Sequence, residues 1–312
     1  MNAGEDQHIP VLTDAVLEQL DIKPDAVYVD CTFGRGGHSR AILAALGPAG
    51  RLVVMDRDPQ AYQAAQAFAA RDARVTAVRG CFGDIGEIST VQGIHAEVAG
   101  MVADLGVSSP QLDAAERGFS FMRDGPLDMR MDPQAGSSAA DWLAAADQKE
   151  ITRVISRYGE DRAAGRIARA ICIGRESKPL TSTLQLAQLI ESVVPRKPGG
   201  KHPATLTFQA LRIHINNELA ELESFLGSAL NVLAVGGRLC VISFHSLEDR
   251  LTKRFMRDNA RVAPELASLP VVPESAEPRL RLCGRAIRAA AAETESNPRA
   301  RSAVLRSAER LR

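Results

Sequence analysis

The sequence has no uninterrupted apolar run of the roughly 20 residues that a bilayer-crossing helix needs, so a helical membrane protein is not expected and no membrane partner is implied. It has no net charge, with 38 basic residues against 38 acidic ones, so bulk charge does not select a polyanionic partner. It has few cysteines and no C-x-x-C pair. The five, Cys31, Cys81, Cys172, Cys240 and Cys283, are odd in number and widely spread, which excludes a disulfide framework and a zinc site as first readings. No metal is expected. Cys31 and Cys240 fall in strand-like runs, where cysteine serves as a small buried apolar residue. The opening MNAGEDQHIP is polar, so no secretory signal is visible and a cytoplasmic protein is the expectation. Internal repeats are also lacking.

What is present is enough for a substantial core. The chain has 312 residues, 45% of them hydrophobic, which suits one large domain or two smaller ones. Charge is uneven along it: 11 Lys/Arg against 5 Asp/Glu from Lys149 to Lys201, and 14 against 7 from Arg250 to the end. Two basic regions on a neutral chain can attract phosphates, or simply solvate helix faces and a tail.

The first hundred residues alternate strand-like and helix-like runs. Thr13 can cap a short helix carrying Val16, Leu17 and Leu20. Val27–Cys31 reads as a buried strand that runs into a glycine loop, then a helix from about His38 to Leu46. Arg51–Asp56 is a second strand. Asp58 before Pro59 marks a helix start, a cap followed by a first-turn proline. Val75–Val78 and Val98–Leu105 are the third and fourth strands. Alternation at this spacing predicts a parallel sheet with helices on both faces, whose ligand edge is formed by the loops after the strands. The rhythm breaks after Ser109. Up to about Pro203 no strand is expected; loop residues 119–133 precede short helical runs capped at Ser138 or built on Ile151, Val154 and Ile155, on Ile167 and Ile171, and on Leu184, Leu186, Leu189 and Ile190. This is a helical insertion. Beyond it, Thr205–Asn231 reads as a broken helix ended by Gly236-Gly237. Arg238–Phe244 is a fifth strand and Leu247–Arg257 a helix. Residues 259–278 read as a mobile loop, and Arg279–Cys283 with Ser302–Arg306 as a final strand pair.

The chemistry concentrates at strand ends. The loop DCTFGRGGH, Asp30 to His38, follows a strand and opens a helix, where glycines admit close backbone approach and free N–H groups face outward. Asp56 ends the next strand, 22 residues after Gly34, where an acid typically bonds the ribose hydroxyls of an adenosine cofactor. Ser39 stands where the dinucleotide fingerprint wants its last glycine, and Phe33 and His38 flank the loop. These features favour an adenosyl sulfonium, with a nicotinamide oxidoreductase as the competing enzyme. The fourth strand ends in DLGVSSPQ, Asp104 to Gln111, which offers a carboxylate, the hydroxyls of Ser108 and Ser109, and a turn ordered by Pro110. Acceptors of this kind can align an exocyclic amine, a poor nucleophile, for in-line attack on a methyl group. Methylation at pyrimidine carbon 5 would need a cysteine nucleophile, and no cysteine stands in a Pro-Cys setting at such a strand end. The fifth strand ends in SFHSLEDR; Phe244 could stack on a base and His245 bond to it or its phosphate. Arg153 and Arg157, or Arg162, Arg166 and Arg169, could line a helix face toward RNA, or simply form a solvated face. A non-catalytic RNA-binding or assembly factor is the third reading, disfavoured by the intact loop and Asp56.

At these residues the chain resembles the bacterial ribosomal RNA small-subunit methyltransferase H family, also called MraW. The matching blocks are HIPVLTDAV, DCTFGRGGHSRAIL, MDRDPQA, DLGVSSPQLDAAERGFSFMRDGPLDMRMD, HPATLTFQALRIHINNEL, GGRLCVISFHSLEDRLTKRFMR and NPRARSAVLR, which span nearly the whole chain. The resemblance implies a class I, Rossmann-like α/β methyltransferase sheet over residues 1–108 and 205–312, and an inserted all-helical substrate-recognition domain over 109–204. It implies transfer of a methyl group from S-adenosylmethionine to N4 of one cytidine in the decoding centre of 16S ribosomal RNA, as free RNA or in the small subunit. A homodimer is compatible with this. Carried over by motif position, cofactor contacts fall on Gly36, Gly37, His38, Asp56, Phe82, Asp104 and Gln111, with Asp104 also the candidate for positioning the amine. With the residue-level reading, Ser108, Ser109, Pro110, Arg162, Arg166, His202, Phe244 and His245 are the candidates toward RNA. Because a paired amine is sequestered, the target base is expected to leave its stack. Residues 259–296 match the family least, and no role is carried over there.

Overall fold

The computed structural model describes residues 10–196, 198–262, 265, 266 and 273–312. The polar stretch before Pro10 and part of the loop expected over 259–278, residues 263, 264 and 267–272, lie outside the described residues. The chain divides into two compact units, one made of residues up to Gly106 and from Leu219 onward, the other of Val107–Glu218.

The first unit is built in chain order from α1 (Thr13–Leu20), β1 (Val27–Asp30), α2 (Gly37–Ala45), β2 (Arg51–Asp56), α3 (Pro59–Ala69), β3 (Val75–Arg79), α4 (Ile85–Val91) and β4 (Val98–Asp104). The start of α3 follows from its sequence: the Asp58 carboxylate accepts the Gln60 N–H at 2.9 Å, and Pro59 fills the first turn, where no amide donor is needed. In β1, β2 and β4 alternate residues serve opposite faces. Val29, Cys31, Val53, Met55, Met101 and Ala103 enter one core cluster, while Tyr28, Leu52, Val54 and Val102 enter the other with Ile42 of α2. Burial on both faces is why these strands read as continuous apolar runs. Each fully buried aliphatic side chain contributes about 1.5–3 kcal/mol, and Ile42, Leu52, Val54 and Met101 are all at 0% exposure.

The second unit carries α5 (Ser109–Asp113), α6 (Ala139–Ala145), α7 (Gln148–Gly159), α8 (Ala164–Ser177), α9 (Thr183–Val193) and α10 (Thr205–Ile215). Its core joins Ile151 and Ile155, Ile167 and Ile171, Leu186 and Ile190, and Phe208 and Leu211, pairs at helical spacing on four helices. Ser138 caps α6, accepting the Asp141 N–H at 3.1 Å. Two details depart from the sequence reading. In α9 the buried face is Thr183, Leu186, Ala187 and Ile190; Leu184 is 39% exposed, because small residues complete that face and the larger leucine lies a turn-angle away. The helix α10 belongs with this unit, since Phe208 and Leu211 join its core.

The chain then forms α11 (Glu218–Val232), β5 (Leu233–Ser243), α12 (Ser246–Asn259), β6 (Leu280–Leu282), β7 (Ile287–Arg288), α13 (Ala291–Ser296) and β8 (Val304–Arg310). The helix α11 ends at Val232, not at Gly236-Gly237, and Leu233 already pairs with Val98. Gly236, at φ 79°, takes up a register shift between Val98 and Gly100 inside the strand pair. A bulge uses glycine's left-handed freedom as a helix terminus does, so the residue type alone did not distinguish them. The strand order is β3-β2-β1-β4-β5-β8-β6, with β7 on β8. The first five strands are parallel, and β8 runs antiparallel to β5. This is the open, Rossmann-like α/β sheet that the sequence led one to expect. From β1 the chain winds outward to β2 and β3, then returns to place β4 on β1's other side. The carboxyl ends of β1 and β4 therefore flank the switch point, where open α/β sheets bind ligands.

Candidate active site

At the end of β1, Asp30 is 1% exposed. Its Oδ1 accepts the Thr32 N–H at 3.1 Å, and its Oδ2 accepts the Ser39 hydroxyl at 2.5 Å. Burial raises its pKa, while the nearby His38 and the Ser39 and Thr32 donors pull it down. Ser39, the residue that breaks the dinucleotide fingerprint, thus fastens the first turn of α2 to the end of β1.

Between these anchors the loop is held by glycines. Gly34 has φ 54° and Gly36 φ 72°, in the left-handed region that L side chains disfavour. A Cβ at Gly36 would stand 2.6 Å from Phe33 Cζ, and one at Gly37 2.6 Å from Pro10 Cβ. The loop is therefore clamped closely on its own chain, with Gly36 buried and Gly34 and Gly37 half-buried. The Gly34 N–H donates to Asp56 Oδ2 at 2.8 Å, and the Asp58 N–H to Asp56 Oδ1 at 2.9 Å. Burial pushes the Asp56 carboxyl up to about 6 against these two bonds, with Asp58 and Asp30 adding to the rise.

The end of β4 completes the arrangement. The Asp104 N–H donates to Thr32 Oγ1 at 2.7 Å, tying β4 to the loop. His38 is 5% exposed; its Nε2 lies 2.9 Å from the Val11 carbonyl, which requires a proton there. Its Nδ1 then faces Asp104 Oδ2 at 3.9 Å. The Asp104 side chain keeps 27% exposure, yet its Oδ1 is shielded from solvent and has no hydrogen-bond partner among the described residues. Its pKa is raised to about 6, chiefly by burial, with Asp30 and Glu248 pushing the same way and His38 opposing. An orphaned buried acceptor is costly, and it calls for an N–H or a cation. Phe82 lies in the loop after β3, its ring edge-on to Phe225 with centroids 5.6 Å apart.

Phe244 and His245 precede α12. The Glu248 carboxylate, 2% exposed, accepts the Phe244 N–H at 2.9 Å and the His245 N–H at 3.3 Å. His245 Nδ1 in return accepts the Glu248 N–H at 3.4 Å. His245 is thus the N-cap of α12, and Glu248 fixes both candidate residues from below.

In the second unit, Ser108 caps α5 over Ser109 and Pro110. Gln111 Oε1 accepts the Ser108 N–H at 2.9 Å, the other half of a capping box. His202 Nδ1 accepts the Ala204 N–H at 3.1 Å, and its ring lies 4.7 Å from that of Phe121. Arg162 and Arg166 are exposed.

The first unit thus offers a tightly held glycine loop, an acid at the second strand and a buried free acceptor at the fourth. Three carboxyls, with one histidine among them, make the edge electronegative. That suits a cofactor carrying a sulfonium and an amino group, and suits a pyrophosphate poorly. The profile of the MraW methylase family matches residues 5–311. The chain belongs to this family. A relative from Halorhodospira halophila, named ribosomal RNA small subunit methyltransferase H, is 53% identical over 97% of this chain and 94% of its own length. One of the same name from Methylococcus capsulatus is 54% identical over 95% and 98%. A solved rRNA methylase from Streptococcus thermophilus superposes with TM-score 0.42 at 10% identity over 96% of this chain and 94% of that one, which adds nothing to the strand order described above. As a family member the chain is a methyltransferase, and its cofactor is S-adenosylmethionine, which supplies an electrophilic methyl group. No helix among the described residues is long and apolar enough to cross a membrane.

Sequence reasoning missed the supporting residues. Asp30 was passed over as the end of a strand, Thr32 as a loop residue and Glu248 as part of a helix. A visible signal existed for Asp30 alone: an acid in an otherwise apolar strand needs a partner.

Proposed function

We propose that this chain transfers the methyl group of S-adenosylmethionine to the exocyclic N4 amine of one cytidine in the decoding centre of 16S ribosomal RNA. The observation that carries this reading is the orphaned Asp104 Oδ1 at the switch-point edge. The relatives' names supply the ribosomal RNA. Cys31, next to the end of β1, and Cys240, inside β5, are buried, with thiol pKa values raised by burial, which disfavours either as the nucleophile for covalent attack on the ring.

In this reading Asp56 accepts the ribose hydroxyls, the backbone of Gly36, Gly37 and His38 lines the cofactor, and Phe82 flanks its adenine. Gln111 joins them as a cofactor contact through its amide. Asp104 accepts first from the cofactor's amino group and then from the N4 amine, whose lone pair it turns toward the methyl. The N4–carbon bond forms as the carbon–sulfur bond breaks. N4 then sheds one proton, which in this reading passes to the Asp104 carboxylate that holds the amine. Positioning supplies most of the acceleration. The target base is flipped out of its stack, with Phe244, His245, Ser108, Ser109 and Pro110 as its contacts. The helical unit recognises the RNA, through His202 and the exposed Arg162 and Arg166.

The test is transfer of tritiated methyl from S-adenosylmethionine to small subunits and to their naked RNA, with the labelled nucleoside identified after digestion. N4-methylcytidine is expected. Label on cytosine carbon 5, or no label with either substrate, sinks the reading.

A further inference from the structure

One concavity in the sheet unit gathers cations that the transfer reaction does not use. Lys253 and Arg257 stand one turn apart on α12, Arg261 follows that helix, Arg285 occupies the turn between β6 and β7, and Arg306 rises from β8, around an apolar floor that includes Met256. Among the described residues no acidic side chain lines it. Arg306 is held by Asp249 at 2.7 and 3.2 Å, and Arg257 by Asp258 at 2.8 Å. Lys253, Arg261 and Arg285 are exposed and have no ion pair among the described residues. Like charges converging from four segments repel one another, and an anion relieves that repulsion. The surroundings indicate which anion. The cations are exposed and spread around an open concavity, the arrangement that tracks a chain of phosphates by displacing counterions, whereas a single small anion calls for buried convergent donors. The position agrees. Asp104 pairs with Ile242 and Ile242 with Leu305, so Arg306 begins about 10 Å from the Asp104 row across two strand spacings.

We infer that this concavity binds backbone phosphates of the RNA strand flanking the methylated nucleotide. The inference rests on the RNA reading above and adds a docking surface outside the transfer site. The test is fluorescence anisotropy of labelled small-subunit RNA against the protein and its Lys253→Gln/Arg261→Gln/Arg285→Gln variant, over a salt series. The variant is expected to bind about tenfold more weakly at low salt and to lose about 2 from the slope of log affinity against log salt, roughly 0.7 per single-strand phosphate contact. Affinity for S-adenosylmethionine should be unchanged, which shows that the variant is folded. If the triple variant fails that control, Arg285→Ala alone should lower the slope by about 0.7. An unchanged slope overturns the inference. So does loss of inorganic tripolyphosphate binding by the triple variant with RNA binding intact, which assigns the concavity to a small anion. If the slope falls but the natural protein methylates no small-subunit RNA, the docking surface stands and the proposed function fails.

Discussion

Asp104→Ala is expected to lower kcat by about 100- to 1,000-fold at saturating cofactor and RNA, the loss typical of removing one preorganised group at a reacting centre. An amine whose lone pair is delocalised into the ring gains reactivity only while it is held, and Asp104 Oδ1 is a buried acceptor at that edge with no other partner among the described residues. The hold on the amine acts mainly in the transition state and so appears in kcat, while the lost contact to the cofactor's amino group should also raise the KM for S-adenosylmethionine. A rise in the KM for S-adenosylmethionine with kcat intact would make Asp104 a cofactor ligand only. Asp104→Asn keeps the shape but turns a donor toward the amine, and should also be impaired. The pH dependence has a definite sign. Only the ionised carboxylate accepts freely, and burial has pushed it up to about 6, so activity of the natural protein should climb as pH rises toward 6 and level off above it. A bound sulfonium moves this limb to lower pH, not higher. At saturating cofactor, where Asp56 is already engaged, Asp104→Asn should lack the limb. Stability moves the opposite way. A carboxyl whose pKa rises on folding favours the fold only in its protonated form, so its ionisation penalty is absent below its ordinary value of 3.8 and complete above about 6. A shift of this size corresponds to about 3 kcal/mol; with 27% of the side chain exposed, about 1–2 kcal/mol is a better expectation. Asp104→Asn should therefore be more stable than the natural protein by that amount at neutral pH and equal to it near pH 3, as measured by urea unfolding.

Asp56→Ala is expected to weaken S-adenosylmethionine binding by about 100-fold or more. Hydrogen bonds to a charged group are worth about 1.5–3 kcal/mol each, and two ribose hydroxyls meet this carboxylate in the proposed pose. The loss has a second source. Asp56 also accepts the N–H groups of Gly34 at 2.8 Å and Asp58 at 2.9 Å, so its removal frees the glycine loop on the side where the cofactor lies. Asp56→Asn retains one carbonyl acceptor but points an amide donor at one of those N–H groups, and an intermediate loss of about tenfold is expected. Because Asp56 lies at about 6, affinity of the natural protein should fall as pH drops through that value, and the alanine variant should show no such step. Calorimetry decides the matter: equal affinity for variant and natural protein would contradict the ribose assignment.

Much of this was legible in the sequence for identifiable physical reasons. Strands buried on both faces have to be apolar throughout, so β1, β2 and β4 stood out, and the Asp58-Pro59 pair marked the start of α3 because cap and first-turn demands are local. The Asp30 to His38 loop, Asp56 and Asp104 were visible because each ends a strand at the ligand edge. Other features depend on distant partners. Gly236 carries the same left-handed signal at a bulge as at a helix end, and only its pairing with β4 separates the two. Leu184 appeared interior by hydrophobicity, but small Thr183 and Ala187 fit the core that α7 and α8 build. The Ser39 bond to Asp30 joins residues nine apart across a turn, and the Thr32 bond to Asp104 crosses from one strand end to another. His245 looked like a free substrate contact, yet its ring caps α12 for a glutamate whose own burial no local pattern revealed.

The most direct test of the central claim is a structure of the protein with S-adenosylmethionine and cytidine bound together. The account predicts the base with its N4 in line with the methyl carbon and sulfur, an N4 hydrogen directed at Asp104 Oδ1, and the ribose hydroxyls on Asp56. Cytosine presenting carbon 5 to the methyl group, or an N4 amine held by other groups with Asp104 turned away, would contradict it.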